Sequence, residues 1–341
     1  VHIRQAGMRG TLRYLAGVAG PSGYGSNSTA EQVTADRSSL YADPSLPLTA
    51  IVTGSTSGIG AETARVLAKR GLRVVIPARD MRKACQVKRQ IEAQSPHADI
   101  ILLDLDLSSF ASINRCCSQF LAMGLPLNIL INNAGKFSKK LEFSEEKIEM
   151  TLATNYLGHC LLTEMLVEKM IQTSAETGIE GRIVNVSSVV HNWVHRDSFN
   201  FNQIISPNNY SGSAAYAGSK LANILHAKEM GRRLKARNAN VTINAVHPGI
   251  VKTAITRDHN PYITDSMYFL ASKFLKSTAQ GAATTCYAAL SKQTQGLTGK
   301  YFADCNESNC STLANDGSCA RDLWNQTQAL IHRQFAHLPQ S

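Results

Sequence analysis

Tyr216 and Lys220, four residues apart, are the pair in this chain best suited to moving a proton. If residues 214 to 237 form a helix, as Leu221, Ile224 and Leu225 at helical spacing indicate, both side chains lie one turn apart on one face. An ammonium beside a phenol favours the phenolate, so the spacing predicts a tyrosine whose pKa is drawn down toward neutral. Alone the pair means little, since a half-buried tyrosine and a solvated lysine fit the same pattern. Its weight comes from a second feature. The apolar run 48–52 stops at Thr53, and Gly54, Ser55, Ser57, Gly58, Ile59 and Gly60 follow, leading into a helical pattern at Ala64, Val66, Leu67 and Leu72. Strand, glycine-rich turn and helix bring backbone N–H groups and a helix N-terminus against a pyrophosphate.

Further elements would place the rest of a dinucleotide. A second strand, 73–77, ends at Ala78-Arg79-Asp80, where an acid would take a ribose 2′-hydroxyl and a base a 2′-phosphate; Arg79 points to NADP. A third strand, 100–107, sets Asp106 and Leu107 to flank an adenine. A helix over about 109–123 leads to a fourth strand, 127–131, closed by Asn132, Asn133, Ala134 and Gly135, which suit a crevice lining or a tight turn. Strands alternating with helices at this pace imply an α/β fold: one doubly wound parallel sheet, Rossmann-type, with helices on both faces.

Composition sets the bounds. A chain of 341 residues with 43% hydrophobic content can bury a sizeable core. The net charge of +10 is uneven, with eight Lys/Arg against two acids over residues 214–260 and three arginines without an acid over residues 1–30. That balance suits an anionic partner, and without a nucleic-acid motif a phosphate-bearing cofactor is the economical reading. Eight cysteines show neither C-x-x-C nor zinc spacing, so no metal is expected and reduced thiols are the default. Cys305, Cys310 and Cys319 form a cluster that leaves a redox-sensitive pair open. No apolar run approaches the ~18 residues of a membrane-spanning helix, so the expectation is a soluble or peripheral, non-secreted protein.

The order of motifs is T-G-x-x-x-G-x-G, N-N-A-G, Asn155 in Thr154-Asn155-Tyr156, Val186-Ser187-Ser188, Y-x-x-x-K, and Pro248-Gly249-Ile250-Val251-Lys252-Thr253. This resembles the short-chain dehydrogenase/reductase family over roughly residues 46 to 303. N-V-S-S, the extended segment before the tyrosine and S-K-L-A-N are similar to its retinol-dehydrogenase-like branch, closest to plant, chloroplast import-associated members. The resemblance implies that Tyr216 exchanges the proton at the substrate oxygen and that Lys220 lowers its pKa and holds the nicotinamide ribose. It implies that Ser188 bonds the substrate carbonyl, that Asn155 anchors a water leading to solvent, and that Pro248, Gly249, Val251 and Thr253 line the nicotinamide half, Thr253 near the carboxamide. Strand alternation sends Ser187 and Ser188 to opposite faces, and the resemblance implies that the second serine is the one in the site.

Two departures stand out. Twenty-seven residues separate Ser188 from Tyr216, a long connection holding His191, Trp193, Phe199 and Phe201 that would fold over the substrate mouth. Lys136 follows N-N-A-G where the family commonly has an apolar residue. Beyond the P-G turn, Ile263, Met267, Phe269, Leu270, Phe274 and Leu275 make an amphipathic stretch that is a lid over a lipophilic substrate or a helix packed on the core.

Flanking segments are read as a 1–45 extension and a 304–341 tail with one helix around the 46–303 domain. The chain opens on Val, which reads as a fragment or a processed or mis-started chain, with Met8 a candidate start. Residues 8–19, basic and without an acid, suit a membrane surface, an organelle address or a loose terminus, and Ser28 to Glu31 has capping-box spacing for a short helix. The resulting expectation is an NADP(H)-dependent oxidoreductase on a small-molecule alcohol/carbonyl pair, in the chloroplast or cytoplasm, with no nucleic acid and with room for a peripheral membrane contact and a homo-oligomer. The competing expectation is an NADP(H)-sensing scaffold with little turnover.

Overall fold

The computed structural model describes residues 17–35, 48–251 and 275–335. Its framework follows from short aliphatic runs that bury both faces. β1 (Thr49–Val52), β4 (Ile129–Asn132) and β5 (Gly181–Val186) are buried at every position, as strands covered by helices on both sides must be. Between them come α2 (Gly58–Lys69), which follows the one-turn helix α1 (Ala30–Val33), then β2 (Arg73–Ala78), α3 (Met81–Gln94), β3 (Ile100–Asp104) and α4 (Phe110–Ala122). α5 (Gly158–Thr177) precedes β5, and α6 (Gly212–Ala236) precedes β6 (Val241–His247). After the short β7 (Ile250–Val251) and β8 (Leu275–Lys276) come α7 (Ala283–Leu290), β9 (Tyr301–Ala303), β10 (Asn306–Glu307) and α8 (Gly317–Phe335).

The main sheet has eight strands in the order β10-β9-β6-β5-β4-β1-β2-β3. All neighbours are parallel except β10, which returns beside β9. Strand order reverses between β1 and β4, and that switch point is where a doubly wound sheet opens a crevice at the carboxyl ends of its strands. Alternate residues of one strand serve opposite layers. Ile51 and Val75 face the core shared with α4, α5, α6 and α8, whereas Ala50, Val52, Val74 and Ile76 face that of α1, α2, α3 and α7.

Several boundaries differ from the sequence reading for local reasons. β3 stops at Asp104, because Asp106 turns the chain by accepting from the Ser108 backbone N–H (2.8 Å) and hydroxyl (2.6 Å). The 304–341 segment, read as a tail with one helix, also adds a strand: Asp304 and Cys305 take left-handed backbone (φ 50° and 62°) and fold β10 back beside β9. The first short helix is capped by Thr29 with Gln32, one residue later than the predicted box. Glu31 instead reaches across to Arg65 and Lys69 of α2, both at 2.8 Å, and these partners, Lys69 first, hold its carboxyl near 2.

The described parts of both flanks, 17–35 and 304–335, pack on the domain. Tyr24 meets the ring of Tyr287 edge-on at 6.1 Å, and Ala30 and Val33 are buried. α8 lies along α6, where Trp324 stacks on His226 (5.7 Å, 10° between planes) and the Thr327 hydroxyl bonds Tyr156 Oη at 2.8 Å. No described helix is long and apolar enough to cross a membrane. The described cysteines, all eight, are free thiols.

Candidate active site

The switch point is built around Thr53, at the end of β1. Its Oγ1 accepts the backbone N–H groups of Asn133 (2.9 Å) and Ala134 (3.0 Å), tying the first strand to the N-N-A-G turn. The same hydroxyl lies 2.9 Å from His159 Nε2, while His159 Nδ1 lies 3.0 Å from the Asn155 carbonyl. A carbonyl only accepts, so Nδ1 carries the proton and Nε2 accepts from Thr53. Burial holds this imidazole neutral, its pKa pushed down to about 3. Gly54 is required here in both senses, with φ +68° and a position where any Cβ would come within 2.7 Å of Ala134 Cα.

The helix that follows is prepared for an anion. Ser57, the N-cap of α2, makes no side-chain capping bond, so the first amides of a twelve-residue helix are left to a ligand. They open on a cleft of about 630 Å³, which Ser57, Gly58, Ile59 and Gly60 line together with Asn133, Ala134 and Gly135. Its outer end carries Arg79, Asp106 and Leu107, with the Arg79 guanidinium 3.9 Å from Asp106 and 68% exposed. Asp80 does not pair with Arg79; it caps α3 through the N–H groups of Arg82 (3.1 Å) and Lys83 (3.2 Å). The uncapped helix end suits a diphosphate, and the Arg79 and Asp106 end of the cleft suits a ribose.

At the inner end α6 and β5 bring the proton-handling groups together. Ser188, Tyr216 and Lys220 all line the same cleft, with Pro248, Gly249 and Val251 opposite. Ser187 is turned the other way, its hydroxyl donating to the Lys220 carbonyl at 2.6 Å and pinning α6 to the end of β5. Lys220 Nζ lies 5.5 Å from the centre of the Tyr216 ring and donates to the Val186 carbonyl at 2.9 Å. Burial pushes Lys220 down to about 8 and Tyr216 up to about 12. The sequence reading of a depressed tyrosine is therefore reversed: burial outweighs an ammonium that is aimed at a backbone carbonyl. Phe137 stands edge-on to Tyr216 at 6.0 Å.

Two named residues lie elsewhere than expected, and a third is outside the described residues. Ser55 is buried and bonds the Val52 carbonyl, so it does not line the cleft, and Thr56 does. Asn155 is also behind the wall, inside a π-helical turn, Ala153–Leu157, of the kind found at functional sites. Its amide donates to the Lys136 carbonyl and the Ser219 hydroxyl (both 3.0 Å), and its Oδ1 accepts from Lys136 N–H at 2.7 Å. Gly158 ends that turn because a Cβ there would meet the Leu107 carbonyl at 2.1 Å. Thr253 lies outside the described residues, as do 263–274 of the apolar stretch; Leu275 is in β8. Lys136 lines the cleft with its ammonium paired to Glu142.

The sequence reading gave no role to Thr53 or His159, although His159 follows Asn155 at helical spacing. It also missed the task of His191. This buried imidazole places Nδ1 2.7 Å from the Ser188 carbonyl and accepts the Ser311 N–H on Nε2 at 3.1 Å, under the edge of Tyr301.

A Rossmann crevice with a bare helix end, and a phenol, an amine and a hydroxyl at its inner end, defines an oxidoreductase of the CH–OH group that uses a nicotinamide nucleotide. The chain belongs to the short chain dehydrogenase family, whose model matches residues 48–196 and 200–263. It is 45% identical over 317 residues to the Short-chain dehydrogenase TIC 32 B, chloroplastic, of Brassica napus, covering 93% of this chain and 97% of that one. Retinol dehydrogenase 12 of Mus musculus is 38% identical over 285 residues, covering 84% and 86%. Among solved structures, a variant of actinorhodin polyketide ketoreductase with NADPH superposes with a TM-score of 0.59 at 24% identity, covering 81% of this chain and all of the other.

Proposed function

We propose that this protein reduces a lipophilic carbonyl compound with NADPH, Tyr216 supplying the proton. The nicotinamide supplies the hydride when bound; this chain orients the reactants and handles the proton. The observation that carries the reading is the convergence of Ser188, Tyr216 and Lys220 on the cleft that also receives the uncapped end of α2. Ser188 donates to the substrate oxygen as negative charge develops, and the Tyr216 hydroxyl delivers its proton to that oxygen. A phenol held near 12 is protonated at neutral pH, which suits the reductive direction. Lys220, charged below about 8, stabilises the phenolate left behind and holds the nicotinamide ribose. Asn155 fixes the Lys136 backbone beside the nicotinamide half, and the water leading from Lys220 to solvent is assigned to it as well.

NADP is favoured because Arg79, a base, stands where an acid would select NAD, and its exposed guanidinium is free to take a 2′-phosphate in place of Asp106. The lipophilic substrate follows from Phe137, Val189, Val190 and Trp193 around the reacting end. Likeness to chloroplastic relatives supports a chloroplast address. The domain is taken as 46–303 with its flanks folded onto it. Reduction of an aldehyde panel by NADPH and by NADH tests the reading. The wild type should prefer NADPH, and Arg79→Ala should raise KM for NADPH roughly 10-fold or more with little change for NADH. Equal use of both nucleotides by the wild type would count against it.

A further inference from the structure

Beside the cleft lies a second chamber of about 550 Å³, between the first turns of α6 and the long connection that precedes it. Trp193 and Ser213 line both spaces, so the indole is a partition between them. Two-thirds of that indole is exposed (66%), which for the largest apolar side chain calls for a reason. Val194, Phe199 and Ile204 give the chamber apolar walls, and the amides of Asn208 and Asn209 are exposed at its margin.

Gly218 makes the chamber more than a gap in packing. It lies two residues beyond Tyr216, buried and inside α6, where glycine is among the poorest helix formers. The other glycines of this helix are held by contact: a Cβ at Gly212 would meet the Ser138 carbonyl at 2.1 Å, and one at Gly231 the Thr298 hydroxyl at 2.7 Å. A Cβ at Gly218 would meet nothing within 4 Å, and the residue lines the chamber. What this glycine leaves is room, about half a turn of helix beyond the proton donor.

We propose that the chamber is a second substrate subsite. It takes the bulky, non-reacting part of a carbonyl compound whose oxygen sits at Tyr216 and Ser188: an apolar ring system or branched chain bearing a polar tip, joined to the carbonyl by an arm that passes Trp193. The volume is in the range of small-molecule pockets. This rests on the oxidoreductase reading and adds to it the shape of the substrate.

The test compares propanal with biphenyl and decalinyl aldehydes under saturating NADPH, in the wild type and in Gly218→Ala and Gly218→Leu. The wild type should favour the bulky aldehydes in kcat/KM. Gly218→Leu should lose roughly 10-fold or more on them, through KM, while its propanal kcat/KM changes less than twofold. Gly218→Ala should show a smaller loss in the same direction, and it carries the comparison should the leucine variant not fold. Equal loss on small and bulky substrates, or no loss on either, overturns the subsite and leaves the oxidoreductase reading standing. Failure of the wild type to reduce any of the aldehydes overturns both.

Discussion

Ser188 is held in place by a residue that never touches the cleft. His191 bridges the Ser188 carbonyl and the Ser311 N–H, and only a neutral ring protonated on Nδ1 can do both. Burial lowers its pKa, which keeps it in that form at neutral pH. Replacing His191 with Ala leaves the Ser311 N–H without its partner and the Ser188 carbonyl with only the backbone N–H of residue 191 (3.2 Å), loosening the main chain that carries the serine. Steady-state kinetics should show kcat reduced roughly 10- to 100-fold with the NADPH dissociation constant unchanged, the signature of misplacement rather than lost binding. Tyr216 and Lys220 were legible in sequence as neighbours on a helix face. Their pKa values were not, because burial and the Val186 carbonyl are tertiary facts. The same holds for Ser55 and Asn155, whose side chains are claimed by main-chain partners that no spacing reveals.

Elements were more legible than their ends. Aliphatic runs such as 49–52 and 73–78 announce strands because both faces are buried, and the alternation with helices imposes the parallel sheet. Ends depend on single side chains, as with Asp106 closing β3 and Thr29 rather than Ser28 capping α1. α8 was legible as a helix, but its place was not. It completes the core on the α6 side, with Leu323, Leu330 and Ile331 buried there. Leu323→Ala should therefore cost about 2–5 kcal/mol by denaturant unfolding, as for a central core leucine. A cost under about 0.5 kcal/mol would mean that α8 is dispensable.

Across the whole molecule, burial of imidazoles makes acid the weak side. His159 is pushed down to about 3, and His226 and His247 to about 4, chiefly by burial. The unfolded chain takes up those protons near pH 6.5 while the folded chain refuses them until about 4 or below, so stability is lost as pH falls through that window. Glu164 works in the opposite direction between its ordinary 4.5 and about 7, where burial keeps its proton on, and offsets part of the loss. With these three histidines and His191, also lowered by burial, against one carboxyl, Tm should fall by on the order of 10 °C between pH 6.5 and 4. Calorimetry at low salt reads this directly, and a Tm constant over that range would contradict it. Whether Tyr216 delivers the proton in an NADPH-linked reduction is decided by Tyr216→Phe, with nucleotide binding and aldehyde turnover measured on the same sample. NADPH affinity should be unchanged and turnover lowered roughly 10²- to 10⁴-fold. Turnover equal to the wild type would contradict that role.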